Sequence, residues 1–282
     1  MKTNLSDLSL TAIAPIVWGS SYLVTTEFLT GFSPMTVAML RALPAGLLLL
    51  AIVRGLPKGI WWRRTFILGA LNISIFLSML FVAAYRLPGG VAGTVLSAQP
   101  LIVVFMASFL LSSRLRTLAI VAALVGMGGV ALLVLTPSAA LDSIGIAAGL
   151  AGATSMALGG TLARKWQPPV SPLTFTAWQL TAGGLLLLPV VLLIDPPIPI
   201  PTVSNLVGLV WLGLIGAALT YVLWFRGIGR LAPTVVSSLL FLSPLTAVLL
   251  GWSFLGQTLT ILQIAGIALV IGSIWLSQRA SK

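Results

Sequence analysis

The chain of 282 residues has no cysteine, no histidine and only four acidic residues, Asp7, Glu27, Asp142 and Asp195. Without cysteine there can be no disulfide, thiolate metal site or S-acyl anchor. Without histidine and with so few carboxylates, the chain lacks the usual general bases and metal ligands of enzymes. We therefore expect no enzymatic activity, no catalytic residue, no metal site and no cofactor.

Charge is scarce throughout the chain, and apolar residues dominate it. Charged residues make up 7% of the sequence and apolar residues 59%, with a mean hydropathy of +1.14. That leaves too little polar surface for a soluble globule, and apolar stretches of about 20 residues can cross the bilayer as helices. The sequence predicts an all-α integral membrane protein with ten spans, at 8–28, 35–53, 65–86, 91–111, 116–135, 144–164, 172–194, 203–225, 232–253 and 260–278.

The sequence repeats itself after about half its length. Residues 33–36, Ser-Pro-Met-Thr, return at a shift of 138 as residues 171–174, Ser-Pro-Leu-Thr, and at a shift of 144 Arg86 and Pro100 return as Arg230 and Pro244. Because each unit has an odd number of spans, the second unit enters the membrane from the opposite side. The sequence thus predicts two inverted five-helix repeats, residues 1–138 with spans 1–5 and residues 139–282 with spans 6–10.

Basic residues lie almost entirely on one side of the predicted topology. The chain has 15 Lys and Arg residues and a net charge of +11. In a soluble protein this charge would suggest nucleic acid, but in a membrane protein an excess in the cytoplasmic connections reports orientation. Only Arg86 near an outer connection and Arg41 within a span depart from the pattern. We expect both termini to be cytoplasmic and no nucleic-acid partner.

Two prolines occupy equivalent places near the middle of spans 4 and 9. Pro100 and Pro244 each lack an amide donor, which predicts that the carbonyls of Leu96 and Leu240 lose their helical partners. Free carbonyls at membrane depth need protein, water or ligand as a partner. The pattern fits either a kink for packing or a kink that lines a cavity, and both prolines are candidate hinges.

Uncharged polar and aromatic residues cluster within particular spans, where lipid would not hold polar groups without cost. They predict a cavity whose aromatic walls hold an apolar side chain and an ammonium group. The candidate substrate-binding residues are Trp18, Ser21, Tyr22, Asn72, Ser78, Leu96, Ser97, Gln99, Trp178, Tyr221, Leu240, Phe241 and Ser243. The alternative for each Trp or Tyr is a place in the interfacial belt, which position favours for Trp61, Trp62, Trp166 and Trp275 and, less strongly, for Tyr221 and Trp224.

Arg41 is the one cation clearly within a predicted span, and the repeat places Gln179 at the equivalent position. Its guanidinium can act as an anchor for a substrate carboxylate through two hydrogen bonds. The alternatives are an ion pair with Glu27 or snorkelling toward the outer headgroups.

Spans 5 and 10 carry glycines and almost no polar side chain. Gly126, Gly128 and Gly129 lie in span 5, and Gly266 and Gly272 lie in span 10. Small residues let helices approach closely, so these spans are expected to serve packing or, alternatively, dimerisation. The chain is expected to be a monomer or a weak homodimer in contact with membrane lipid.

Ten spans, residues 18–21 (Trp-Gly-Ser-Ser), Gln99-Pro100 and Ser243-Pro244 resemble the drug/metabolite transporter superfamily, EamA type. The resemblance covers the whole chain, and the chain is similar within that superfamily to bacterial inner-membrane exporters of amino acids, including aromatic ones. It implies a central cavity formed by spans 1, 3, 4, 6, 8 and 9, with spans 5 and 10 packed aside.

The chain departs from the superfamily pattern in two ways. Members commonly carry Gly-Glu after spans 4 and 9, where this chain has Ser112-Ser113 and Gly256-Gln257, and it has no carboxylate at mid-depth of the kind that small multidrug relatives use for proton antiport. We expect alternating-access export of small zwitterionic solutes, neutral and aromatic amino acids, by facilitated diffusion. The alternative is efflux of hydrophobic drugs or other metabolites by proton antiport.

Overall fold

A computed structural model describes residues 5–87, 89–134, 142–254, 256 and 258–281, and within these ranges the chain is helical with no strand. Ten helical segments are long and apolar enough to cross a membrane, which confirms the predicted all-α fold with ten spans. The helices of spans 1 to 10 are, in order, Leu5–Phe28; Pro34–Val53; Trp61–Gly69, Ala70–Ile75 and Phe76–Arg86; Gly89–Leu96 and Gln99–Leu111; Thr117–Val134; Ser143–Trp166; Pro172–Ile194; Val203–Val210, Trp211–Leu219 and Thr220–Arg230; Pro233–Leu239 and Leu242–Phe254; and Ile261–Ala280.

Four spans are interrupted, and the interruptions form two pairs at positions that the repeat makes equivalent. Spans 3 and 8 each contain a π-helical segment, Ala70–Ile75 and Trp211–Leu219. Spans 4 and 9 are each divided by a short turn, directly before the helices that hold Pro100 and Pro244. The two prolines therefore mark real breaks, while the inversion of the repeats remains a prediction.

The break in span 9 satisfies its own backbone. The amide of Ser243 donates to the Leu240 carbonyl at 3.0 Å, a tight three-residue bond of the kind found in 3₁₀ turns. The prediction that Pro244 leaves this carbonyl free is therefore wrong. In span 4 the Ala98 amide donates to the Val95 carbonyl at 3.1 Å, and Leu96 ends its helix, where the last carbonyls have no intrahelical partner.

The repeated Ser-Pro-x-Thr sequence begins spans 2 and 7. Ser33 and Ser171 are N-caps in extended conformation, and their side chains accept hydrogen bonds from the amides of Thr36 and Thr174. Proline at the next position fits because its missing donor has no helical partner there. In span 2 the Asp195 carboxylate also accepts from the Thr36 amide at 3.0 Å, which places negative charge at a helix N-terminus, where it is stabilising.

Spans 2 and 7 cross at two glycines that the repeat makes equivalent. A Cβ on Gly46 would lie 2.7 Å from the Leu180 carbonyl carbon, and one on Gly184 would lie 2.7 Å from the Leu43 Cα. Such close backbone approach is typical of membrane helix pairs with small residues at their interface. This crossing holds the two halves of the chain together. It lies beside a large cluster of buried apolar residues to which spans 3 and 8 also contribute.

Spans 5 and 10 pack against each other through Gly129 and Gly266, whose added Cβ atoms would lie 3.0 and 2.7 Å from the facing glycine carbonyl oxygens. Phe241 packs here too: its ring lies against Gly126 and in a buried cluster with residues of spans 5 and 10. The expectation that Phe241 lines the cavity is therefore not met, because its side chain fills this interface. A Cβ on Gly128 or Gly272 would meet nothing within 4 Å.

Candidate functional site

A cavity lies between spans 4, 6, 8 and 9, beside the breaks in spans 4 and 9. Its walls include Gln99 of span 4, Arg164 of span 6, Trp224 of span 8, and Ser237 and Leu240 of span 9. Water-sized molecules find about 30 Å³ of free space in it, whereas ligand pockets measure about 300–1,000 Å³. In this conformation the cavity admits a few waters but no amino acid, so solute binding requires the spans to separate.

One wall of the cavity is aromatic. Trp224 lines it, and Trp18 of span 1 packs behind with ring centroids 5.2 Å from Trp224 and 5.1 Å from Tyr221. The Trp18 indole nitrogen donates to the Gly216 carbonyl at 3.1 Å and to the Thr220 hydroxyl at 3.0 Å, which fixes its ring. Trp224 and Tyr221 are each 3% exposed, so their assignment to the interfacial belt is wrong.

The row of rings continues away from the cavity to spans 7 and 3. Phe225 and Phe175 lie 5.3 Å apart, and Trp61 lies 6.3 Å from both Phe175 and Trp178. Trp61 is 9% exposed, which overturns its belt assignment. The Trp178 indole donates to the Gly55 carbonyl at 2.6 Å, so Trp178 fastens span 7 to the connection after span 2 and does not line the cavity as expected.

The predicted polar residues divide between the cavity and its surroundings. Gln99 lines the cavity and is buried. The Ser97 hydroxyl donates to the Thr94 carbonyl at 2.6 Å, and the buried Ser21 hydroxyl finds no hydrogen-bond partner within the described ranges. The side chain of Tyr22 lies outside the described residues. Partly buried positions outside the cavity lining are those of Ser78, Leu96 and Ser243.

Arg164, at the end of span 6, lines the cavity and is not among the site residues that the sequence predicts. One of its guanidinium nitrogens donates to the Leu231 carbonyl at 2.7 Å and also to the Ile228 carbonyl. A cation that binds the last carbonyls of a helix is favourably placed in the field of that helix. Arg164 therefore puts one positive charge at the end of the cavity that is predicted to be cytoplasmic.

Arg41 and Gln179, the repeat-related pair, both contact π-helical segments of the opposite half. Arg41 donates to the Gly216 carbonyl at 2.7 Å in span 8, and Asn72 in span 3 donates to the Gln179 side-chain oxygen at 2.7 Å. Each contact thus joins a side chain of span 2 or span 7 to a π-helical segment of the other half. Irregular backbone within a span needs such polar partners from the protein. Asn72 lies outside the cavity, because Gln179 and the closely packed Gly159 surround its amide.

The amide pair of Asn72 and Gln179 predicts that a variant with both residues replaced is more stable than a variant with only one of them replaced. Its other two polar atoms, Asn72 Oδ1 and Gln179 Nε2, are buried with no partner in the described part of the chain. We expect Gln179→Leu or Asn72→Leu alone to cost about 1–2 kcal/mol, because one buried amide then loses its only bond. The double variant should cost less than either single one. Thermal unfolding in detergent compares the stabilities of these variants. Single variants as stable as the wild type would contradict the prediction.

Sequence comparison extends the description beyond this chain. The EamA-like transporter family matches twice, over residues 6–135 and 143–278. Protein PecM of Dickeya dadantii is 44% identical over 270 residues, which cover 95% of this chain and 91% of that protein. YedA of Escherichia coli, described as an uncharacterized inner membrane transporter, is 26% identical over 266 residues, covering 93% and 87%.

The fold also occurs in solved structures. One crystal structure superposes with a TM-score of 0.84 over 98% of both chains, at 21% sequence identity, a level that supports the fold alone. The family match includes both halves of the chain, and the printed description of YedA is that of a transporter. With its ten spans, this chain is a multi-pass membrane transporter that belongs to the EamA-like transporter family.

Proposed function

We propose that this chain exports small zwitterionic solutes, neutral and aromatic amino acids, across a bacterial inner membrane. The observation that carries the proposal is the lining of the cavity, which combines the Trp224 ring, the Gln99 amide, the Ser237 hydroxyl and the Arg164 guanidinium. A membership in a transporter family and the inner-membrane description of YedA support the setting. Both termini are then cytoplasmic, as the distribution of basic residues predicts.

The chemistry of the lining matches the parts of an amino acid. An apolar or aromatic side chain packs on Trp224, whose ring face also attracts an ammonium group. A guanidinium binds a carboxylate with two parallel hydrogen bonds, and Arg164 is the guanidinium that borders the cavity. Arg41 binds the Gly216 carbonyl beside Trp18 and is therefore occupied in this conformation. It serves as the carboxylate anchor only when the cavity opens toward the predicted outer side.

Alternating access follows from the breaks in the spans. The cavity is too small for an amino acid in this conformation, so it must widen toward one side and then the other. The turns before Pro100 and Pro244 are the proposed hinges, because they interrupt two of the spans that line the cavity. Rocking of one repeat against the other would open each side in turn.

Proteoliposomes test both the solute class and the coupling. We expect saturable flux of labelled phenylalanine, tryptophan, threonine or methionine that a pH gradient at fixed membrane potential leaves unchanged, because every acid of the chain lies near a span end. A flux that rises several-fold with the gradient would contradict facilitated diffusion. Flux of hydrophobic dyes, with none of the four amino acids, would favour the alternative of drug or metabolite efflux.

A further inference from the structure

Ion pairs connect span ends at two opposite faces of the protein. At the predicted outer end, Arg86 lies 3.5 Å from the Asp142 carboxylate. At the predicted cytoplasmic end, the Asp7 carboxylate lies 2.5 Å from Arg226 and 3.3 Å from Arg230. Asp7 and Asp142 are the two acids that form these ion pairs.

The two ion pairs connect equivalent elements of the two repeats. Arg86 ends span 3 and Asp142 caps the start of span 6, whereas Arg230 ends span 8 and Asp7 lies in the first turn of span 1. Spans 3 and 8 are repeat equivalents, as are spans 1 and 6, and the two arginines align at the shift of 144 residues. Each pair therefore fastens one repeat's third span to the other repeat's first span.

The two ends differ in how tightly they are held. The side chains of Asp7 and Arg226 are 12% and 21% exposed, and those of Asp142 and Arg86 are 38% and 46% exposed. Spans 1 and 8 also pack closely beside Asp7, where a Cβ on Gly227 would lie 2.9 Å from the Thr11 Cβ. Spans 1 and 8 are thus held together more tightly at the predicted cytoplasmic end than spans 3 and 6 are at the predicted outer end, where the ion pair is more exposed.

We propose that Asp7 and Asp142 are the paired gate residues of the transport cycle, with the Asp7 ion pairs closing the cytoplasmic side and the Asp142 ion pair closing the outer side. This proposal rests on the proposed function only in assuming alternating access, and it does not depend on which solute is transported. When the repeats rock, the elements that separate at one end approach at the other, so one ion pair breaks as the other tightens. Weakening either pair shifts the population toward the state in which that end is open.

The lack of cysteine allows a direct test in the otherwise unmodified chain. Ser237 lines the cavity near the start of span 9, so Ser237→Cys reports access from the predicted cytoplasmic side to a membrane-impermeant maleimide. Asp7→Asn and Asp142→Asn are added to this variant one at a time. Asp195→Asn is the matched control, because it removes the same charge from a residue that contacts the start of span 2.

The gate proposal predicts opposite effects from the two substitutions. We expect Asp7→Asn to raise the labelling rate from the cytoplasmic side at least about fivefold and Asp142→Asn to lower it about two- to fivefold, as the loss of a buried and an exposed ion pair suggests. Asp195→Asn should leave the rate unchanged. Equal rates in all variants, or changes of the same direction for Asp7 and Asp142, would overturn the proposal.

A charge exchange separates gating from folding. Arg86→Asp combined with Asp142→Arg restores the outer ion pair with reversed charges, and we expect it to return the labelling rate toward that of the Ser237→Cys parent. A labelling rate that stays at the Asp142→Asn level would count against the ion pair. Labelling requires no solute, so its result can be interpreted even if no amino acid is transported. Likewise, the flux assay can be interpreted even if the labelling rates do not change as predicted.

Discussion

Replacing Gly46 by leucine is expected to prevent the folded state from forming. The glycine lies where spans 2 and 7 cross, with the Leu180 carbonyl carbon 2.7 Å from the position of an added Cβ. Backbone atoms cannot move aside as a flexible side chain can, so the cost should exceed about 3 kcal/mol, the upper range for overpacked cores. Size-exclusion profiles in detergent should lose the monodisperse peak.

Gly272→Leu is the matched control for this prediction. It introduces the same side chain into a membrane helix at a glycine whose added Cβ would meet nothing within 4 Å. We expect this variant to elute and unfold like the wild type, and we expect Gly184→Leu, at the equivalent crossing position, to behave like Gly46→Leu. A well-folded Gly46→Leu protein would contradict the close crossing of spans 2 and 7.

Replacing Trp224 by leucine is expected to lower amino-acid flux about tenfold. The ring lines the cavity and packs against Trp18 at 5.2 Å, and the loss of its attraction for an ammonium group and an aromatic side chain corresponds to about 0.5–2 kcal/mol. Trp224→Phe retains a ring and should keep most of the flux. Initial rates of labelled phenylalanine uptake by proteoliposomes give the comparison.

The control for this series is Trp275→Leu, because Trp275 is 52% exposed and lies on span 10, away from the cavity. We expect wild-type flux from it. Unfolding temperatures of all three variants separate an effect on transport from an effect on folding. If Trp224→Leu and Trp224→Phe transported equally well, the aromatic wall would have no part in solute binding.

Hydropathy and local signals predict most of the fold. The ten spans follow from apolar length, and Ser33 and Ser171 begin spans 2 and 7 because serine before proline is a strong helix start. The turns in spans 4 and 9 lie where Pro100 and Pro244 predict them. These features depend on residues close together in the chain, which is why the sequence alone suffices for them.

The direction in which a side chain points within a span is harder to predict. Depth in the membrane can be predicted from position but the facing helix cannot, so position predicts the interfacial belt for Trp61 and Trp224 although both are buried. For the same reason the sequence predicts Phe241 and Trp178 in the cavity, whereas Phe241 fills a helix interface and Trp178 binds the Gly55 carbonyl. Only contacts between distant spans decide these positions.

Backbone breaks also hide their hydrogen bonds from the sequence. Proline predicts a missing donor, but the Ser243 amide replaces it at the Leu240 carbonyl. The π-helical segments of spans 3 and 8 have no proline, so the sequence gives no local signal for them. The sequence does not predict Arg164 as a cavity residue, because its bonds to the Leu231 and Ile228 carbonyls join two distant spans.

Protection of a single cysteine by the solute tests most directly whether this cavity is the transport site. Phenylalanine is added to reconstituted Ser237→Cys protein, and the rate of maleimide labelling is followed against its concentration. We predict saturable protection with a midpoint near the KM for phenylalanine flux, because Ser237 lines the cavity. Unchanged labelling at concentrations that saturate flux would contradict the assignment of the solute to this cavity.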